Sequence, residues 1–311
     1  MEYKNRKAII DCGTNTFHLL IADINGNNKL KVLHKEKFPV KIGEGGIEDN
    51  IILEAPIKRA VDTIRRFKNE IDKYNVNKII ATGTSAFRNA KNGKQVATII
   101  ETETGIKINI IDGEKEAKLI YKGVSKAIKL TDEYYLIMDI GGGSVEFIIS
   151  NKNEIKWLKS FEIGGQRLLE RFHINDPISL KEINSLNKFL DHELEELYKI
   201  CDKYRPNKLV GASGSFDTLS AIFCTIKGEY FNEDESQSFH LPIENTLSII
   251  DNIISKNHLQ RLSINGMSKL RVDMIVVACL LVKRIMNKIH FNEIITTSYA
   301  LKEGLLFSEE F

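Results

Sequence analysis

A chain of 311 residues with 42% apolar content has material for two cores of ordinary domain size. Its 44 basic and 42 acidic side chains leave a net charge of +2, so no global field favours nucleic acid or an anionic membrane as a partner. Cys12, Cys201, Cys224 and Cys279 are too far apart for a metal-binding spacing or a disulfide framework, which fits buried thiols in a reducing compartment.

The start of the chain, Met1-Glu2-Tyr3-Lys4-Asn5-Arg6-Lys7, runs directly into a strand pattern, without the apolar core and cleavage site of a secretion signal. Ala8-Ile9-Ile10, residues 17–22 and residues 30–34 read as three strands, the last two separated by the turn signal Asn25-Gly26. Ile57, Ala60, Val61, Ile64 and Phe67 then mark a helix. A short strand ending in glycine and hydroxyl residues, another helix and a strand at 107–111 complete the first half. A crossover helix is expected over 112–129.

The second half repeats the pattern with strands at 135–138, 146–150 and 155–159, turning at Asn151-Lys152-Asn153. A helix follows, marked by Ile183, Leu186, Phe189, Leu190 and Leu194. Extra helices are expected between residues 243 and 288, then a strand at 293–297 and a final helix at 299–307. The longest apolar run, 274–282, is about half of what a spanning helix needs. A soluble, cytoplasmic protein is expected.

The halves share motifs as well as element order. Asp11-Cys12-Gly13-Thr14-Asn15-Thr16 and Asp139-Ile140-Gly141-Gly142-Gly143-Ser144-Val145-Glu146 each place an acid, then glycine and hydroxyl residues, after an apolar run. Asp72-Lys73-Tyr74-Asn75-Val76-Asn77-Lys78 recurs as Asp202-Lys203-Tyr204-Arg205-Pro206-Asn207-Lys208. Ile79-Ile80-Ala81-Thr82-Gly83-Thr84-Ser85 recurs as Leu209-Val210-Gly211-Ala212-Ser213-Gly214-Ser215. Motifs in one order at nearly one offset indicate two copies of one α/β unit, with a site between them. Glycine turns between strands aim consecutive N–H groups at an anion. Asp11 and Asp139 would repel a bare phosphate, so a hard divalent cation, Mg²⁺, is expected with them. A plain hairpin turn would use the same residue types.

The chain resembles the exopolyphosphatase and pppGpp phosphatase family. The resemblance rests on the 11–18 and 139–146 motifs, on Thr84-Ser85-Ala86-Phe87-Arg88-Asn89-Ala90-Lys91-Asn92, on Ile111-Asp112-Gly113-Glu114-Lys115-Glu116-Ala117 and on Gly211-Ala212-Ser213-Gly214-Ser215. It implies two duplicated actin-like (ribonuclease H-like) α/β domains with an interdomain cleft. We place the first domain at 1–125 and the second at 126–298, with the helix of 299–311 packing back on the first. The family's activity would be hydrolysis of terminal phosphate from inorganic polyphosphate, or of the 5′ γ-phosphate of pppGpp, by direct attack of water.

Carried over by residue, the resemblance makes Glu116 the base that activates water and Arg88 a ligand of the phosphate under attack. Asp139 and Glu146 go to the metal and its water. Asp11, Gly13, Thr14, Asn15, Gly141, Gly142, Gly143, Ser144, Gly214 and Ser215 go to the phosphate chain. On spacing alone Glu116 is also an ordinary acid in the first turn of a helix, and Arg88 an ordinary surface arginine. Lys115, Lys118, Val145 and Asp112 depart from the family pattern, which bears on substrate preference. Lys115, Lys118, Lys122, Lys126 and Lys129 line one helix face, either to track a polyanion or as a solvated face. A phosphotransferase of the sugar or acetate kinase type and an inactive phosphate-binding protein are the competing classes; a homodimer stays open as the assembly.

Overall fold

The computed structural model describes residues 5–24, 30–232 and 237–310. The Asn25-Gly26 turn and the first four residues lie outside the described residues. The chain forms two compact units, Met1–Leu119 with Leu301–Phe311, and Ile120–Ala300.

Unit 1 opens with an antiparallel meander, β1 (Arg6–Cys12), β2 (Phe17–Ile24) and β3 (Leu30–Phe38). Then come α1 (Glu54–Ile71), β4 (Lys78–Gly83), α2 (Ser85–Asn89), α3 (Gly93–Thr104), β5 (Ile108–Ile110) and the start of α4 (Gly113–Ala127). The five-stranded sheet has the order β3-β2-β1-β4-β5, with β1, β4 and β5 parallel. One sheet face supplies Ile10, Phe17 and Leu19 to a core closed by Ile64 and Phe67 of α1 and Ile100 of α3. The residues of α1 that carry the predicted spacing are buried from Ala60 to Phe67, with Ile57 half-buried, because a 3.6-residue period puts them on one stripe.

Unit 2 repeats the meander as β6 (Tyr135–Ile140), β7 (Val145–Ser150) and β8 (Ile155–Phe161). It continues through α5 (Gly165–Phe172), α6 (Leu180–Glu193), α7 (Glu195–Tyr204), β9 (Lys208–Ala212), α8 (Gly214–Ile226) and β10 (Ser238–Leu241). The rest is α9 (Ile243–Ile254), α10 (His258–Leu262), α11 (Ile275–Lys288) and β11 (Glu293–Thr297). The sheet order β10-β11-β9-β6-β7-β8 reproduces that of unit 1 strand for strand and adds β10 at an edge. Its core joins Phe147, Leu186, Leu190, Phe216, Leu219, Val277 and Leu281. The last helix, α12 (Leu301–Leu306), belongs to unit 1 and packs on β1.

The duplication reaches individual dihedral angles. Asn75 and Arg205 hold the same place in the repeated Asp-Lys-Tyr motif, and both adopt φ of 50°. In each copy the chain then turns into a parallel strand through one backbone bond, Asn77 N–H to Arg6 O at 3.0 Å and Asn207 N–H to Tyr134 O at 3.2 Å. No helix among the described residues is long and apolar enough to cross a membrane.

Candidate active site

Each glycine turn is held by the segment that follows its third strand. In unit 1, Gly43 and Lys41 donate their N–H groups to the carbonyls of Thr14 and Asn15, at 3.2 and 2.7 Å. In unit 2, Gly165, Gln166 and Gly164 donate to the carbonyls of Gly141, Gly142 and Gly143, at 2.9, 2.8 and 3.1 Å. A trans peptide sets each carbonyl opposite the next residue's N–H. The amides of Asn15 and Thr16, and of Gly142, Gly143 and Ser144, therefore point away from these braces, as an anion-binding turn requires. A Cβ on Gly164 would stand 2.4 Å from the Gly143 carbonyl carbon, so only glycine allows that brace to close.

Asp11 pairs in register with Thr82 of β4 and His18 of β2. The side-chain hydroxyls of Thr14 and Thr82 are buried without a hydrogen-bond partner among the described residues. Orphaned buried hydroxyls next to a carboxylate are suited to receive a water or a ligand oxygen. The neighbouring Cys12 is fully buried, and burial, reinforced by Asp11, pushes its thiol well above the usual range, so it is inert.

Arg88 and Glu116 meet in the same unit. Arg88 lies in the last turn of the short α2, and Glu116 lies in the first turn of α4, which Asp112 caps through a 2.7 Å bond to the Lys115 N–H. Arg88 Nη1 donates to Glu116 Oε2 at 2.8 Å and to the Ile111 carbonyl at 3.2 Å. The two side chains are only 15% and 8% exposed, so they are not ordinary surface residues. Asp112, one of the departures from the family pattern, thus has a structural task as a helix cap.

In unit 2, Asp139 of β6 lies directly opposite Glu146 of β7 in the antiparallel ladder, and both are buried. Glu146 Oε1 accepts hydrogen bonds from Ser144 and Ser160, each at 2.7 Å. Facing carboxylates repel unless a cation or proton intervenes. Among the described residues no group of three or more His, Cys, Asp or Glu side chains is arranged to hold a metal ion. Two carboxylates still fit Mg²⁺, which is usually held by one or two carboxylates with waters and substrate phosphates rather than by an all-protein cage.

Gly214 and Ser215 open α8, a 13-residue helix, behind Ser213, whose φ of 76° is rare for a side-chain-bearing residue. A Cβ on Gly214 would stand 2.7 Å from Nε and Nη2 of Arg271. This places a guanidinium close to the N-terminus of α8, an end of a helix that favours anions. The sequence reading missed Arg271 because nothing in its local pattern sets it apart. Thr82 and the braces at 41–43 and 164–166 are also absent as site residues from the sequence reading; Gly43 with Gly45-Gly46, and the Gly164-Gly165 doublet, are the signals that mark the braces. Of the lysine row, Lys115 pairs with Glu310 at 3.4 Å and Lys118 with Glu114 at 2.5 Å.

The chain is similar to known proteins along its whole length. An exopolyphosphatase structure from Cytophaga hutchinsonii superposes with a TM-score of 0.94, at 41% identity over 97% of either chain. The bifunctional 3-dehydroquinate synthase/phosphatase of Fusobacterium nucleatum is 31% identical over 92% of this chain. The guanosine-5′-triphosphate,3′-diphosphate pyrophosphatase of Pseudoalteromonas translucida is 29% identical over 98% of it. The chain spans 44% and 59% of those two relatives. The Ppx/GppA phosphatase family model matches residues 20–311, and the chain belongs to the Ppx/GppA phosphatase family.

Proposed function

We propose that the protein is an exopolyphosphatase that hydrolyses the terminal phosphate of inorganic polyphosphate. The observation that carries this reading is the buried Arg88 to Glu116 pair, held in one unit with a braced glycine turn. Similarity to the Cytophaga exopolyphosphatase supports it.

Hydrolysis of a phosphoanhydride needs in-line positioning, charge neutralisation and a proton acceptor for water. Glu116 takes the proton from the attacking water while the water oxygen bonds to the terminal phosphorus. The bridging P–O bond breaks, and the shortened chain leaves with its electrons. Arg88 orients the Glu116 carboxylate; a guanidinium has five donors and can also serve a phosphate oxygen. In unit 1 the turn amides at 15–16 and the Thr14 hydroxyl, with Asp11 at the end of the preceding strand, are suited to bind phosphate oxygens, and in unit 2 the turn amides at 142–144, Gly214, Ser215 and Arg271 are suited to do the same. Asp139 and Glu146 would hold Mg²⁺, which when bound neutralises phosphate charge and polarises its coordinated water. Four free buried thiols agree with a reducing, cytoplasmic setting.

Hydrolysis of pppGpp is the second reading, favoured by the Pseudoalteromonas relative. Phosphate release from long-chain polyphosphate, pppGpp and ATP, compared side by side with Mg²⁺, tests both. Release from polyphosphate above the other two is expected. Turnover only in the presence of ADP, with the phosphate found on an acceptor rather than in solution, would overturn both in favour of a phosphotransferase.

A further inference from the structure

Two glycines press against the backbone that carries the Arg88 to Glu116 pair. A Cβ on Gly304 of α12 would stand 1.9 Å from the Leu119 carbonyl oxygen and 2.6 Å from its carbon. Leu119 lies on α4, one turn beyond Glu116. A Cβ on Gly93, at the start of α3, would stand 1.9 Å from the Phe87 carbonyl oxygen and 2.8 Å from its carbon. Phe87 directly precedes Arg88.

Both contacts are made with main chain, so no change of rotamer relieves them, and an added methyl must displace one backbone or the other. Neither glycine is able to retreat easily. The Asn92 side chain grips Ile52 through two bonds, accepting from its N–H at 2.9 Å and donating to its carbonyl at 2.8 Å, and Lys91 N–H donates to Asn50 O at 2.8 Å. Lys7 Nζ of β1 ties the end of α12 through the Leu306 carbonyl at 3.0 Å, and Leu305 and Leu306 are fully buried. The displacement is therefore directed at residues 87–88 and at α4.

We propose that Gly93 and Gly304 are positioning residues, which set the spacing of Arg88 and Glu116 by letting two anchored segments close to backbone contact behind them. This rests on the reading of Glu116 as the base. A shift of the base by about 1 Å is enough to lower turnover by up to ~10²-fold, whereas substrate affinity is set by the phosphate turns.

The test is steady-state phosphate release by Gly93→Ala and Gly304→Ala, with a thermal melt of each. Gly105→Ala is the control: Gly105 lies in the same unit at φ of +72° with nothing within 4 Å of a Cβ, so that variant loses stability without touching the pair. Expected for Gly93→Ala and Gly304→Ala is a fall in kcat of about tenfold or more with KM within a few-fold, and for Gly105→Ala a lower melting temperature with normal kcat. Folded variants with wild-type kcat, a loss that Gly105→Ala shares, or failure of both variants to fold would overturn the proposal. Glu116→Gln in parallel separates the two readings. Near-normal turnover there removes the base assignment, while its collapse beside active glycine variants removes only the positioning role.

Discussion

Arg88 and Glu116, 28 residues apart in sequence, are joined by a 2.8 Å charge-assisted hydrogen bond with both side chains largely buried. Removing the charge and removing the partner should have different results. Glu116→Gln also leaves a largely buried charge without its counter-ion but keeps the shape and an oxygen for Arg88, so it should lose less stability than Arg88→Ala while kcat falls by roughly 10²-fold or more. Arg88→Ala leaves a buried carboxylate without its cation and should lose about 3 kcal/mol of stability. Denaturant melts and turnover measured on both variants check this, and equal destabilisation by the two would contradict it.

Asp139 and Glu146 face each other across the β6–β7 ladder, so the carboxylate pair stores repulsion whenever neither a cation nor a proton lies between them. If Mg²⁺ binds at this pair, Asp139→Asn should stabilise the chelated protein by about 0.2–1 kcal/mol and abolish the stabilisation by Mg²⁺ expected of wild type. Activity should fall as well. Melting curves with and without chelator read the effect; a wild-type protein whose melting ignores Mg²⁺ with phosphate present would speak against a metal at this pair.

Acid should destabilise unit 2 in two stages. Burial lowers the pKa of His173 below its ordinary value, helped by the nearby Arg261 guanidinium, so the unfolded chain binds its proton first. Stability from this group is complete above pH ~6.5 and is lost as pH falls through the lower folded value. Burial alone would raise Glu182, but hydrogen bonds from Ser179, Asn175 and Ile174 prevail and hold it at about 2. Its contribution is complete above pH ~4.3 and is lost on falling through about 2. His173→Leu should flatten the first stage and spare the second, and Glu182→Ala, which removes the capping box, should cost about 1–2 kcal/mol at neutral pH. Urea melts at a series of pH values distinguish the stages.

The meander strands are legible because short apolar runs and the glycine-rich turns between them are written in neighbouring residues, and β11 lies where its β-branched run predicts. The edge strand β10 is not. Ser238-Phe239-His240-Leu241 is too short to show a period, and its pairing with β11 is set by a residue more than 50 positions away. The same limit applies at the site: the glycine turns can be recognised as motifs, whereas their braces act through main-chain N–H groups that any residue type supplies. The repeat itself exposes one cost. Arg205 holds the left-handed conformation that Asn75 holds in the first copy, although arginine gains nothing from it. Arg205→Gly should stabilise by about 1 kcal/mol, and Arg205→Asn by less. Destabilisation by both would mean that the side chain makes a compensating contact.

The lysine row on α4 separates the two substrates. A long polyphosphate carries many charges beyond its reacting end, and pppGpp carries few. Lys118 is exposed and paired with Glu114 at 2.5 Å, a surface pair that contributes little to stability. Lys122 is half-buried and Lys126 exposed on the same face. Replacing all three with glutamine preserves helix propensity, so a thermal melt should change little. If the row meets the chain, KM for long polyphosphate should rise and lose much of its salt dependence, because screened charge contacts have been removed. On tripolyphosphate kcat should stay within a few-fold of wild type, since the reacting end is held elsewhere. An unchanged KM for long polyphosphate would return the row to a solvated face, in keeping with the ion pairs of Lys115 and Lys118, and would favour the guanosine nucleotide as substrate.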